Sequence, residues 1–118
     1  MTKLAAIQTC CDAGNVDTNV AKAAELIHDA SIAGAEFVCL PELFSTGAVG
    51  DKIRELAEPI PGPTTQKLVQ VARKNGVYVV AGIAEKDVNV NTLHNASVII
   101  SPEGTLLKKY RKIFLYLV

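Results

Sequence analysis

The chain reads as an α/β protein on a mixed sheet, two βαβ units followed by an antiparallel hairpin, and three observations predict it. Short apolar runs bounded by glycine or proline alternate with helix-period segments through residue 84. A helix-length crossover separates the first run from the second and the second from the third, which forces parallel pairing. Beyond residue 92 two strand-like segments flank Ser101-Pro102-Glu103-Gly104, whose Pro and Gly positions suit a type I turn.

Leu4 to Gln8 is the first expected buried strand, and it leads into Cys11-Asp12-Ala13-Gly14-Asn15, a loop of turn formers. Asp17 is placed to cap a helix whose apolar positions are Val20, Ala23, Ala24, Ile27 and Ala30, with Gly34 placed to end it. His28, beside Ile27, reads as a solvated or half-buried structural histidine rather than a ligand. Phe37 to Leu40, held between Gly34 and Pro41, predicts a strand buried on both faces, as parallel strands usually are. Pro41 cannot extend a ladder, so Glu42 falls just past the carboxyl end of that strand, where open α/β sheets bind ligands. On this stretch alone Glu42 is either a functional carboxylate or an ordinary loop residue.

Residues 44–50 form a loop able to wall a pocket, followed by a short helical candidate over 51–57. The stiff run Pro59-Ile60-Pro61-Gly62-Pro63 puts Pro63 in the first turn of a second helix with Leu68, Val71 and Ala72 inward and Gly76 at its end. Val77 to Ala84 is the next buried strand. His94 to Ile100 and Thr105 to Tyr110 are the arms of the hairpin. If the second arm continues, alternation puts Lys108, Tyr110, Lys112 and Phe114 on one face and Lys109, Arg111 and Ile113 on the other.

Composition narrows the partners. Of 118 residues 49% are hydrophobic, enough for the core of one domain, and no repeat or interdomain linker interrupts it. Twelve basic and twelve acidic residues cancel, so no global field draws nucleic acid or an acidic membrane, and any ligand is small and local. The cluster Lys108, Lys109, Arg111, Lys112 is a solvated strand end, or a weak nucleic-acid patch. No apolar segment approaches the ~18 residues of a membrane helix and no signal-peptide pattern is present, so a cytoplasmic protein is expected. Cys10, Cys11 and Cys39 form neither a metal-ligand spacing nor an even disulfide set; a reducing compartment fits, no metal or cofactor is expected, and Cys39 reads as a buried thiol. Ending on Ile113-Phe114-Leu115-Tyr116-Leu117-Val118, the sequence reads as an interrupted domain.

Three stretches together resemble the nitrilase superfamily of carbon-nitrogen hydrolases, in its amidase-like branch: Leu40-Pro41-Glu42 after a βαβ start, Leu93 to Gly104, and above all Lys109-Tyr110-Arg111-Lys112-Ile113-Phe114-Leu115. The resemblance implies a four-layer α-β-β-α sandwich, of which residues 1–118 are the N-terminal half. It implies a glutamate, lysine and cysteine acting on a small amide, nitrile or carbamoyl compound, with Glu42 and Lys112 matching the first two. The family's cysteine lies downstream of the lysine, so residues 1–118 are expected as a partial domain, inactive alone and prone to form homo-oligomers. Phe114 stands where the family commonly has histidine, and Tyr116 where it commonly has phenylalanine. Leu43 and Phe44 are expected to desolvate Glu42 and raise its pKa, with Lys112 opposing them from a few ångströms away. The competing reading is a non-catalytic interaction module that binds a partner through an exposed sheet face.

Overall fold

The computed structural model describes residues 1–115. Five strands form one sheet in sequential order: β1 (Leu4–Ala6), β2 (Phe37–Cys39), β3 (Tyr78–Asp87), β4 (Thr92–Ile100) and β5 (Leu106–Arg111). The first three are parallel, with Leu4 opposite Phe37 and Phe37 opposite Tyr78. From β3 to β5 the pairing is antiparallel. Both predicted βαβ units and the predicted hairpin are present. The sequence reading missed that β3 runs on to Asp87 and turns directly into β4, with Asp87 opposite Thr92 and Asn91 at a positive φ of 50° in the turn.

The crossovers are α1 (Val16–Ile32) and α3 (Pro63–Asn75), joined on the way by a 3₁₀ turn at Gly50–Lys52 and the single turn α2 (Ile53–Leu56). α1 begins two residues earlier than expected: Asn15, not Asp17, is the cap, its side chain accepting from the Thr18 amide at 3.4 Å, and Asp17 sits in the first turn. α3 carries Pro63 at its start and ends at Gly76, whose φ of 65° is the left-handed conformation that closes a helix. The two helices pack on each other and on one sheet face. Between them and the sheet lie Ile27, Leu68, Val38, Val79, Ile83, Val98 and Ile100, all essentially without solvent contact.

The other sheet face is open, which corrects the expectation of strands buried on both sides. β1 is an edge with Leu4 70% exposed, and of β2 only Val38 is fully buried. Cys39 is exposed rather than buried, because it points away from the helical layer. Phe37 and Tyr78 partly cover one another there by stacking at 4.3 Å. One layer of helix on one layer of sheet is thus what the described residues contain.

A buried amide joins the loops at the carboxyl ends of β1 and β2. Asn19, on α1 and 4% exposed, accepts from the Asp12 amide at 2.7 Å and donates to the carbonyls of Asp12 at 2.7 Å and Ser45 at 2.9 Å. The Gly14 amide also donates to the Thr46 carbonyl at 2.9 Å.

Candidate active site

Glu42 is set by the backbone before its side chain matters. The Leu40 amide donates to the Val80 carbonyl at 2.8 Å and the Phe44 amide to the Gly82 carbonyl at 3.2 Å, so the Pro41–Leu43 turn is strapped at both ends to β3. Leu43 takes a φ of 50°, strained for a side-chain-bearing residue, and Phe44 is driven into the core at 3% exposure. Gly82 underlies the turn: a Cβ there would stand 2.7 Å from the Glu42 Cα and 3.0 Å from the Leu43 nitrogen. Only a residue without a side chain lets the turn lie this close to the strand.

Lys112 follows the last residue of β5, and its amide donates to the Asn95 carbonyl at 2.8 Å, extending the β4–β5 ladder by one bond. Its ammonium lies 2.7 Å from Oε1 of Glu42, 70 positions away in sequence. Asn95 Nδ2 donates to the same oxygen at 2.5 Å. Asn95 lies within the Leu93 to Gly104 stretch, where sequence alone assigns it no role; the available signal is its β4 position, one strand in from Lys112. The pair borders a recess of about 260 Å³ floored by Gly82, Ser97 and Tyr110, and a second of about 420 Å³ with an apolar wall of Leu43, Ala48, Ile53 and Leu93.

The electrostatics of Glu42 correct the expectation. Its side chain is 57% exposed and that of Lys112 41%. The Lys112 bond first, then the Asn95 bond, hold the carboxyl below its ordinary value, and the small burial that would raise it is outweighed. Phe44 is a neighbour in sequence but turns into the core, so it does not enclose the carboxylate.

A second charged group was not foreseen at all. Glu85 on β3, with a side chain 3% exposed, accepts from Arg111 Nε at 2.7 Å and Nη2 at 2.8 Å and from the Lys109 ammonium. Arg111 also donates to Asp87 Oδ2 at 2.8 Å. The bidentate Arg111 contact is the main cause holding Glu85 low against its burial, and the same guanidinium lowers Asp87. Lys109 and Arg111 share one face of β5 as alternation requires, while Tyr110 and Lys112 share the other. A further recess of about 340 Å³ near the starts of α1 and α3 contains Glu58, whose carboxylate is occupied in capping α3 through the Thr64 amide and hydroxyl, both at 2.8 Å.

None of the three cysteines borders the Glu42 recess. Cys10 and Cys39 are exposed, and half-buried Cys11 packs against Gly47. Phe114, 88% exposed, makes no contribution to the recess, and Tyr116 lies outside the described residues. Among the described residues no helix is long and apolar enough to cross a membrane.

Comparison with known proteins supplies the relationship. Residues 3–116 match the family described as carbon-nitrogen hydrolase. A nitrilase of Pyrococcus abyssi is 46% identical over 120 residues, covering 98% of this chain and 45% of that protein. The omega-amidase NIT2 of Pongo abelii is 42% identical over 115 residues, 97% of this chain and 41% of its own length. Saccharomyces cerevisiae Nit3, a member of branch 10 of the nitrilase superfamily, superposes with a TM-score of 0.87 at 27% identity over 96% of this chain and 44% of that one. The chain therefore spans less than half the length of these relatives. On the motif match, the relatives and the shared fold, this chain belongs to the carbon-nitrogen hydrolases of the nitrilase superfamily.

Proposed function

We propose that this chain supplies the base and the cation of a site that hydrolyses the carbon–nitrogen bond of a small amide. The observation that carries the reading is the 2.7 Å Glu42–Lys112 pair in an open recess, made by residues that only the fold brings together. With its pKa lowered, Glu42 is ionised at neutral pH and able to accept a proton. Lys112 offers an ammonium to the oxyanion of a tetrahedral intermediate, and Asn95 orients Glu42 between them. The nucleophile in such a scheme is a cysteine thiol: Glu42 takes its proton, sulfur adds to the amide carbon, the nitrogen leaves with that proton as ammonia, and water then cleaves the thioester. The positions of Cys10, Cys11 and Cys39 away from the recess favour a thiol supplied by residues other than these 118. A cytoplasmic setting suits the three unpaired thiols.

Ammonia release tests this. Alone, the chain is expected to show no turnover of small amides, since loss of the nucleophile costs about 10⁶-fold in comparable hydrolases. Mixed with a separate polypeptide carrying the remaining portion of the Pyrococcus abyssi relative, it should gain turnover that Glu42→Gln or Lys112→Met abolishes. Turnover by the chain alone that disappears in Cys10→Ala or Cys11→Ala would move the nucleophile into this chain.

The open face favours a second use. Leu4, Ile99 and Tyr110 are large side chains left in solvent on a sheet whose edge strands are unpaired among the described residues, and another copy of the chain is the partner we assign to them, giving a homo-oligomer. A sharp monomer boundary in sedimentation at micromolar concentration would contradict this assignment.

A further inference from the structure

Two carboxylates approach β5 from opposite faces of the sheet. Glu42 meets Lys112 on the open face, and Glu85 meets Lys109 and Arg111 on the face covered by helices. Glu85 belongs to β3 and Arg111 to β5, with β4 between them. In register, Ile83, Ala96 and Arg111 stand in one row across the three strands, and Ala81, Val98 and Lys109 in the next. Both cations therefore reach over β4 to a single carboxylate. Ala96, directly beside Arg111, is buried and carries only a methyl, which leaves the guanidinium its path. The four charges of Glu85, Asp87, Lys109 and Arg111 sum to zero, and Arg111 makes three bonds to two carboxylates.

The residue after Arg111 is Lys112. A lysine ammonium rides on a flexible four-carbon stem, so it stays at a given partner only when the backbone beneath it is fixed. β5 is an edge strand, held by β4 on one side only. A bulge between Ile99 and Ile100 already interrupts its pairing. At the far end the ladder continues by the single Lys112–Asn95 bond, from that side alone among the described residues.

We infer that Glu85, together with Asp87, is a positioning residue for the Lys112–Glu42 pair: by clamping Arg111 across Ala96 it fixes the end of β5 from the covered face, so that Lys112 leaves the strand aimed at Glu42. This rests on the reading of Lys112 as the cation of the site. Glu85 touches no substrate in this role and acts only through the strand. A merely stabilising ion pair would raise the melting temperature and leave the geometry of the pair unchanged while the protein stays folded.

The test is the titration of the Glu42 carboxyl by ¹³C NMR in the 118-residue chain, recorded well below each variant's melting temperature. Lys112→Met sets the scale by removing the pair. Glu85→Gln and Arg111→Lys are expected to move the Glu42 midpoint upward, toward that of Lys112→Met, and Asp87→Asn to move it the same way by less. Lys at 111 keeps the charge but loses the two-pronged contact, so its effect separates geometry from charge. Should Glu85→Gln not fold, Arg111→Lys and Asp87→Asn decide the matter. Folded variants that titrate as the unaltered chain does, while Lys112→Met shifts, would overturn the positioning role and leave the pair standing. A Lys112→Met variant with an unchanged Glu42 midpoint would remove the pair itself, and this inference with it.

Discussion

Glu42 and Glu85 are both glutamates tied to cations on the last strand, yet one side chain is 57% exposed and the other 3%. Glu85 has every oxygen engaged and sits under the helical layer. At Glu42 one oxygen takes both bonds, from Lys112 and Asn95, and the residue borders the recess. The difference separates two uses of the same chemistry. A buried, saturated carboxylate holds structure, because removing its cations strands it in low dielectric. An open, half-satisfied pair contributes little to folding and keeps an oxygen available to a reacting group.

The largest effect that would break this comparison is on stability. Glu85→Gln should lower the free energy of unfolding by about 3 kcal/mol, through loss of the charge-assisted bonds that partly exposed Lys109 and Arg111 make to a buried carboxylate. Glu42→Gln should cost no more than about 1 kcal/mol, as exposed pairs do. Equal shifts of the urea midpoint would erase the distinction. Next in size, Gly82→Ala should destabilise by about 2 kcal/mol, since a methyl 2.7 Å from the Glu42 Cα forces the strapped turn off β3. Thermal melts would register the loss, and the ¹³C titration of Glu42 would move upward with it.

Acid sharpens the comparison further. Both carboxyls have folded-state pKa values below their unfolded ones, so each contributes stability that is complete above the unfolded value and is lost as pH falls through the folded value. Urea midpoints should be flat from neutrality down to about pH 5 and decline below about pH 4.3, the ordinary glutamate value. Most of the decline should vanish in Glu85→Gln and little of it in Glu42→Gln. The smallest expected effect is that of salt. At 1 M salt, where screening acts over about 3 Å, the Glu42 midpoint should rise while that of Glu85 stays. A Glu85 midpoint that follows salt would show it to be in contact with solvent.

The fold was legible because periodicity reports which residues face a helix or a sheet, and Ile27, Leu68, Val79 and Val98 answer to it. The open second sheet face was expected only through the resemblance, as the uncovered side of a half-sandwich, because a strand such as Phe37–Cys39 carries no record of what lies beyond the layer it can see. For the candidate site, the family resemblance named Glu42 and Lys112, whose side chains meet at 2.7 Å. Their electrostatics were misread because neighbours in sequence were taken for neighbours in space: Phe44 follows Glu42 by two residues but faces the core. Glu85 escaped notice for a related reason. Its partners lie 24 and 26 positions away across an intervening strand, and no local pattern joins them.

The amide of Asn19 has a consequence for how this molecule opens. One side chain bonds the loop after β1 at Asp12 and the loop after β2 at Ser45, and a direct bond from Gly14 to Thr46 parallels it. Neither loop can lift away without breaking bonds to the other, so the two share one opening free energy. Amide hydrogen exchange at Gly14 and Gly47 should accordingly proceed in step, and Asn19→Ala should release both together. The stretch bearing Cys10 and Cys11 and the stretch bearing Glu42 are then a single hinged plate. A modification of either thiol large enough to displace its loop would be felt at the carboxylate without touching it.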